Sequence, residues 1–473
     1  MAGADRTAVN IVFTFAARAA ELLTGLLLVM LLSRALGLED FGRYSVLTAI
    51  GLVALPLLNL GFPRILVREI AARPASAAEQ VLLGWSWNLL TALLLLGGLL
   101  IAKVEENGLL LAVGLTAGCT AMSQTAGAVG IALQRMRCEA LTALTASVVL
   151  LVLTAAAVWQ QLGLSAVLAA QTLAALAGLT AAVLLTNRLS PYLRELPRAV
   201  SSLRQPHAAL RESLQIGLFQ LLVQLHLYTG VFFLQAMAGN AEAALFQAPF
   251  RIFTRVQIIP MTFLPVLLPI FSRLFFAGNN EELRKTAGTA FRRLLFASLL
   301  LTFFAAALAD RLMPLLLGPE FKDSAQVFSI LALSLCFSFL NTAFDALFIA
   351  AKKVSLSVWI QAAGVLLCAL ANLLLIPRLA AVSGSWAMVL SGGCMFAANC
   401  WLFRELLPGL LAKTLLAAGA GWTAGWLAAA QAENFGLLPP LLLGVLACAG
   451  CGFLLRLVSL EDVSRLRASF FTF

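Results

Sequence analysis

Two arginines stand one helical turn apart in a long apolar stretch of the sequence. Gln247, Arg251 and Arg255 recur every fourth residue, so an α-helix would place all three on one face. No acidic residue lies three or four positions from either arginine, so a partner must come from another helix or from a ligand. Because guanidinium groups bind phosphate in a bidentate manner, this face is a candidate anion site. The alternative is that both side chains extend to lipid headgroups.

A second candidate face lies near the N-terminus. Thr14, Arg18, Glu21 and Gly25 have the spacing of one helical face. Arg18 can pair with Glu21 at i,i+3, which lowers the free energy needed to place either charge in an apolar environment. Arg18 is therefore a candidate for binding an anion, and Glu21 is a candidate for coupling to an ion. The alternative is a self-neutralised structural pair.

Two further apolar stretches carry polar residues. Gln220, Gln224 and Tyr228 share one face, and they would either line a cavity or hydrogen-bond neighbouring helices. Asp345 follows Asn341 by one turn, and it would bind a coupling cation, pair with an arginine or reach interfacial water. The predicted substrate-binding residues are thus Arg18, Arg251, Arg255, Gln224, Tyr228 and Gln247, and the possible coupling residues are Glu21 and Asp345.

The composition shows what kind of element must position these residues. Of 473 residues, 61% are hydrophobic and 11% are charged, whereas soluble domains carry about 25% charged residues. A soluble enzyme or a DNA-binding protein is therefore excluded. About 20 apolar residues cross a bilayer as a helix, which predicts an all-α polytopic membrane protein with about 14 transmembrane helices. These spans lie near 11–33, 45–67, 81–102, 108–133, 141–159, 165–186, 213–237, 246–276, 290–309, 324–350, 355–375, 382–403, 410–430 and 437–457.

The net charge of +10 is interpreted as a topology signal. With the N-terminus inside, the predicted cytoplasmic segments hold 23 of the Lys and Arg residues and the outer loops hold six. Both termini are then cytoplasmic, and nucleic acid is not implied as a partner. A cleaved signal peptide over residues 1–35 is the less favoured alternative, because the apolar run is long and contains charges. The eight cysteines are interpreted as small apolar residues, and no metal or cofactor is predicted.

The polar stretch 187–212 divides the chain. It predicts a six-helix lobe over 1–186, a cytoplasmic linker, a second six-helix lobe over 213–405, and two additional helices with a cytoplasmic tail over 406–473. The second span of each lobe contains prolines, at Pro56 and Pro63 in the first, and at Pro260, Pro265 and Pro269 in the second. Such breaks are tolerated where neighbouring helices or a wet cavity satisfy the freed carbonyl groups. They are typical of transporters built from two repeats, although prolines are common in membrane helices generally.

The chemistry of the intramembrane charges favours an anionic substrate, since arginines outnumber acids there. The sequence contains no G-x-x-x-x-G-K-[ST] phosphate loop, no H-E-x-x-H and no G-x-S-x-G. The predicted loops are too short for the large aqueous ends that a membrane glycan polymerase or ligase needs. A transporter is therefore expected.

Five stretches of the sequence have a recognisable pattern: LLSRALGLEDFGRYSVLTAI (31–50), LNLGFPRILVREIA (58–71), LFQAPFRIFTRVQIIPMTFLPVLLPIFSRLF (245–275), GPEFKDSAQVFSILALSLCFSFLNTAFDALFIA (318–350) and NLLLIPRLAAVSGSWAMVLSG (372–392). Together they resemble the O-antigen-type polysaccharide flippases of the multidrug/oligosaccharidyl-lipid/polysaccharide exporter superfamily. The stretch after Pro377 has fewer glycines than the family pattern, and the two helices beyond twelve have no assigned role.

The resemblance implies two six-helix lobes in a V that alternate between inward- and outward-open states. It implies an oligosaccharide on a polyprenyl pyrophosphate as substrate, with the family's cationic residues falling on Arg18, Arg251 and Arg255. It further implies a monomer in a bacterial inner membrane, working with a polysaccharide polymerase and glycosyltransferases. The alternative within the superfamily is an ion-coupled drug or metabolite antiporter, in which Glu21 and Asp345 matter more than the arginines.

Overall fold

The computed structural model describes residues 2–101, 107–195, 207–261, 263–436 and 438–454, and this part of the chain is helical without a strand. Two short 3-10 turns, Pro74–Ser76 and Pro319–Phe321, accompany sixteen α-helices. The helices are α1 (Ala2–Asn59), α2 (Phe62–Ala72), α3 (Ala77–Ile101), α4 (Asn107–Ala132), α5 (Met136–Trp159), α6 (Gly163–Leu189), α7 (His207–Ala238), α8 (Asn240–Val256), α9 (Ile258–Met261), α10 (Leu264–Phe276), α11 (Asn280–Leu317), α12 (Ser324–Ala350), α13 (Val354–Leu379), α14 (Val382–Leu402), α15 (Leu410–Phe435) and α16 (Leu438–Leu454).

The chain is a multi-pass membrane protein, which confirms the predicted fold class. Within the described residues, nine helices are long and apolar enough to cross a membrane, and a bent helix pair makes a tenth. Helix α12 has the bounds predicted for its span, α4 differs from its predicted span by one residue at each end, and α14 differs by one residue at its C-terminal end. The predicted count of 14 is not confirmed.

The N-terminal region accounts for part of this difference. The predicted spans 11–33 and 45–67 fall largely on α1, which is counted once although it consists of two helices that meet at a kink. Gly37, at φ 68° and ψ −177°, has a non-helical conformation at this kink, between the two predicted spans. Arg43 contacts Asp40 at 3.6 Å one turn away on the helix that follows the kink. The kink therefore separates the two predicted spans, and the long charged side chains beside it can reach the aqueous phase.

The chain forms two compact units, Met1–Tyr228 and Thr229–Phe473. The boundary lies within α7, whereas the sequence places it in the linker 187–212, of which residues 196–206 are outside the described residues. The division into lobes 1–186 and 213–405 stays a prediction. In the first unit, Phe62, Leu66 and Ile70 of α2 are buried against the α3 and α4 helices and Tyr192.

Helix α12 forms the centre of the second unit. It packs against α8, α10, α11 and α14, and most of its side chains are buried. Helix α15 packs along α11, and α16 contacts both. The Arg311 guanidinium of α11 donates to the Ala432 carbonyl at 3.0 Å, near the C-terminus of α15, where a cation also complements the helix dipole. The last two helices are therefore integral to the packing of the second unit.

Candidate substrate site and the two helix breaks

The second unit contains a broken span. Helix α8 ends at Val256, and the short helix α9 separates it from α10. Residues 240–261 and 266–276 are bent by 44° relative to each other, which agrees with the predicted interruption of the span 246–276 by prolines. Pro260 lies in α9 and Pro265 occupies the first turn of α10, where the missing amide hydrogen does not matter. Transporters build substrate sites at such discontinuous helices.

Helix α8 has an aromatic face and a cationic face. Phe246, Phe250 and Phe253 are fully buried. The ring centroids of Phe246 and Phe250 are 5.3 Å apart, and those of Phe250 and Phe253 are 5.7 Å apart. At 3.6 residues per turn, Arg251 and Arg255 lie about 140° and 180° around the helix from Phe246. Both arginines are half-buried. The aromatic face fixes α8 in the unit, so the two guanidinium groups are held on its opposite side.

Arg255 can also interact with the C-terminal end of its own helix. It lies in the last turn of α8, where four carbonyl groups lack a helical partner and the helix dipole is negative. A cation there is stabilising by about 0.3–1 kcal/mol without any ligand. Arg251 lies one turn before this end. It is therefore the stronger candidate for a phosphate contact, whereas the sequence favours Arg255, which lies deeper in the predicted span.

Gln247 occupies a different position from the one expected of a cavity residue. Its side chain is 1% exposed, and within the described residues its Oε1 accepts no hydrogen bond. Two residues earlier, the Leu245 carbonyl accepts a hydrogen bond of 2.9 Å from the Ser324 hydroxyl of α12. Pro249 has no amide hydrogen to offer this carbonyl, so Ser324 replaces the missing helical donor.

Asp345 lies on α12, one turn from Asn341. Its carboxylate is half-buried and makes no hydrogen bond or ion pair with the part of the chain that the structure describes. One turn away, Asn341 donates to the Gly392 carbonyl at 3.3 Å and accepts from Asn399 of α14 at 3.0 Å. The buried Asn399 Oδ1 accepts nothing from the described residues. Acceptor oxygens without donors at one helix pair can bind a cation or a proton.

The predicted residues of the first unit are positioned by α1 and α7. The Arg18 side chain lies outside the described residues. Glu21 and Tyr228 are half-buried, on α1 and α7 respectively. Gln224 of α7 donates from Nε2 to the Leu52 carbonyl of α1 at 3.1 Å.

This hydrogen bond gives Gln224 a structural role. In an uninterrupted helix the Leu52 carbonyl would accept from the amide of residue 56, but Pro56 has no amide hydrogen. The Gln224 side chain supplies the donor in its place. Interhelical stabilisation was the alternative to a cavity role for this residue, and the contact favours it.

The first unit has its own helix break. Leu60 and Gly61, at φ 41° and 73°, separate α1 from α2, and Pro63 lies in the first turn of α2. Pro63 thus begins a helix and does not interrupt a span. The Ser213 hydroxyl of α7 donates to the Leu60 carbonyl. A Cβ on Gly217 would lie 2.8 Å from the Leu60 carbonyl carbon, so α7 crosses this break in close contact.

A buried amide cluster near this break is absent from the sequence predictions. Asn59 donates to Gln124 at 2.6 Å, and Asn88 donates to the Thr125 hydroxyl at 2.9 Å. The Thr125 hydroxyl donates to the Ala121 carbonyl of its own helix, so it can only accept from the Asn88 amide. The buried Asn88 Oδ1 therefore has no donor among the described residues. The sequence feature that could have indicated this cluster is the isolated asparagine or glutamine in each apolar stretch.

Comparison with known proteins places this fold. Residues 8–275 match the family model described as "Polysaccharide biosynthesis protein". No curated protein matches the chain. Among solved structures, the lipid II flippase MurJ in an inward closed conformation has a TM-score of 0.62 at 10% identity, covering 95% of this chain and 98% of that one.

Two transporters of the MOP superfamily are also similar. An inward-facing multidrug resistance MATE family transporter has a TM-score of 0.60 at 17% identity, covering 88% of this chain and 96% of that one. A transporter from Pyrococcus furiosus, described by the reverse polarity of its binding pocket, has a TM-score of 0.55 at 16% identity, covering 85% and 95%. The chain therefore has the fold shared by MurJ and the MATE transporters. It belongs to the polysaccharide biosynthesis protein family, as the sequence resemblance predicted.

Proposed function

We propose that this protein is a flippase that moves an anionic, polyprenyl-pyrophosphate-linked oligosaccharide from the inner to the outer leaflet by alternating access. The observation that carries the proposal is the cationic face of α8. Arg251 and Arg255 are half-buried one turn apart, on a helix that ends within a broken span. A diphosphate is a bidentate acceptor with charge to match both guanidinium groups.

The family and the fold each support this proposal. The family model concerns polysaccharide biosynthesis, and it covers both α1 and the broken span. The fold is that of MurJ, whose substrate, lipid II, is a lipid. On this proposal the chain is a transporter and not an enzyme. It acts in a bacterial inner membrane as a monomer with both termini cytoplasmic, alongside a polymerase and the glycosyltransferases of its pathway.

A transport assay with charge-neutralised variants tests the proposal. Purified protein in liposomes is supplied with a fluorescent polyprenyl-diphosphate oligosaccharide, and its transfer between leaflets is measured. We expect the pair Arg251→Gln and Arg255→Gln to lower the rate about 100-fold, since each charged hydrogen bond contributes about 1.5–3 kcal/mol. The pair Arg251→Lys and Arg255→Lys should retain more activity, because the charge stays and only the bidentate geometry is lost.

The matched control is Arg292→Gln on α11, which is exposed and donates to Thr289 of its own helix. It should transport at the native rate. In cells that depend on this gene, surface glycan that survives the combined replacement of Arg18, Arg251 and Arg255 by alanine would exclude the proposal.

Asp345 supports a coupling role, and it is also the observation that favours the second candidate, an ion-coupled drug or metabolite antiporter. Its carboxylate is free of protein partners within the described residues and lies one turn from Asn341. For the flippase we expect Asp345→Asn to abolish the dependence of transport on an ion gradient while substrate binding is retained. Substrate binding that is lost in Asp345→Asn but kept in the double arginine variant would favour the antiporter. Glu21→Gln, measured beside it, tests the other possible coupling residue.

A further inference from the structure

The second unit contains an apolar cavity beside the helix break. Its volume is about 140 Å³, and it is formed by three helices. Phe253 and Val256 of α8, Phe304 and Leu308 of α11, and Phe328 and Ala332 of α12 line it. The α11 residues are half-buried, so the cavity opens at the surface of the unit along that helix.

The lining determines what the cavity can hold. Every side chain around it is apolar, so a water molecule would find no side-chain partners there. A dry apolar cavity of about 150 Å³ accepts a six-carbon ring such as benzene. The space therefore suits one branched five-carbon unit, with aromatic rings from α8, α11 and α12 around it.

The cavity and the cationic face lie next to each other on one half-helix. Val256 lines the cavity, is the last residue of α8 and directly follows Arg255. The two features lie on different sides of α8, with Val256 about 100° around the helix from Arg255. A ligand that used both would need a highly charged head joined directly to an apolar, branched chain.

We propose that this cavity binds an isoprene unit of the lipid carrier next to its diphosphate, which Arg251 and Arg255 hold. The inference rests on the proposed function, and it adds a tail site to it. Charge decides between a polyprenyl diphosphate and an ordinary phospholipid. Two guanidinium groups match a diphosphate with two or more charges, whereas an anionic phospholipid such as phosphatidylglycerol carries one.

Photolabelling of the full-length protein in detergent micelles tests this site. The probe is geranylgeranyl diphosphate with a diazirine in its first isoprene unit, and labelled peptides are identified by mass spectrometry. We expect labels in the segments 301–312 and 328–335. Ala305→Phe places a ring in the cavity wall and should lower both labelling and probe affinity at least tenfold. Leu308→Gln, which adds a polar group without bulk, should lower them in the same direction.

The control is Ala363→Phe, the same substitution at an exposed position on α13. The probe should label this variant to the same extent as the native protein. Inorganic diphosphate should displace the probe from the native protein and should bind Ala305→Phe with unchanged affinity, because the arginines are intact. That result separates the tail site from a folding defect.

Two outcomes would overturn the tail site, and they differ in what they say about the proposed function. If Ala305→Phe and Leu308→Gln are labelled like the native protein while Arg251→Gln abolishes labelling, the diphosphate site stands and the cavity is not the tail site. If phosphatidylglycerol displaces the probe as well as geranylgeranyl diphosphate does, and inorganic diphosphate does not, the cavity is an acyl-chain site. The proposed diphosphate-linked substrate then fails with it.

Discussion

The two helix breaks of this protein differ in what surrounds them. The break at Leu60 and Gly61 is closed by polar contacts from α7, with the Ser213 hydroxyl on the Leu60 carbonyl and Gly217 packed against the same residue. The second break lies between residues 240–261 and 266–276, and the helix before it has a cationic face on one side and borders an apolar cavity on another. The first break is closed by protein contacts, and the second is the one at which we propose that the ligand binds.

Proline has the same consequence near both breaks. Pro56 and Pro249 each leave a carbonyl of the preceding turn without its helical donor. A side chain of a neighbouring helix replaces the donor in each case, Gln224 at 3.1 Å and Ser324 at 2.9 Å. In lipid no water is present to do so, and an unsatisfied carbonyl there costs several kcal/mol. Polar residues in these spans are therefore not by themselves evidence of a substrate cavity.

The largest expected effect is at the first break. Gly61→Ala places a Cβ 2.7 Å from Ile216 and 2.9 Å from the Ser213 carbonyl, at a φ of 73° that alanine rarely adopts. We expect the free energy of unfolding, measured by SDS titration in mixed micelles, to fall by about 3 kcal/mol. Gly97→Ala, where nothing lies within 4 Å, should change it by less than about 1 kcal/mol. Equal effects of the two substitutions would mean that the first break is not tightly packed.

The buried donor in the second unit should have the next largest effect. Ser324→Ala removes the hydrogen bond to the Leu245 carbonyl and should cost about 1–2 kcal/mol of unfolding free energy. In a Pro249→Ala background an amide hydrogen returns, so the cost of Ser324→Ala should fall to near zero. The control is Ser334→Ala on the same helix, whose hydroxyl bonds the Leu331 carbonyl of its own helix. An effect of Ser324→Ala that is the same in both backgrounds would contradict the account of Pro249.

The smallest effect is expected at Gln224, because its contact is exposed. Gln224→Leu should lower the unfolding free energy by about 0.5–1 kcal/mol, and by nothing measurable when Pro56→Ala is also present. Gln220→Leu, one turn earlier on the same helix, is the control. Transport measured in the Gln224→Leu, Pro56→Ala protein decides between two roles. Native transport there supports the structural role, and lost transport with normal stability would restore the predicted substrate contact.

Much of the fold could be predicted from the order of apolar and charged residues. The bounds of α12 and the proximity of a break to Pro260 and Pro265 follow from hydropathy and from the missing proline amide. The spacing of Gln247, Arg251 and Arg255 placed them on one helix. Gly37, where the helical conformation is interrupted, falls between the predicted spans 11–33 and 45–67. The contact between Ser213 and Leu60 could not be predicted, since the two residues are 153 positions apart in the sequence.

The sequence by itself determined that this chain crosses a membrane many times, that it belongs to a polysaccharide biosynthesis family, and that its broken span carries two arginines. These follow from local composition and spacing, since a bilayer excludes unsatisfied backbone and unpaired charge. Only the tertiary structure decided which polar residues have protein partners. Gln224 and Ser324 bond carbonyl groups on other helices, whereas the Asp345 carboxylate has no partner among the described residues. That distinction depends on contacts between helices distant in sequence, such as residues 52 and 224.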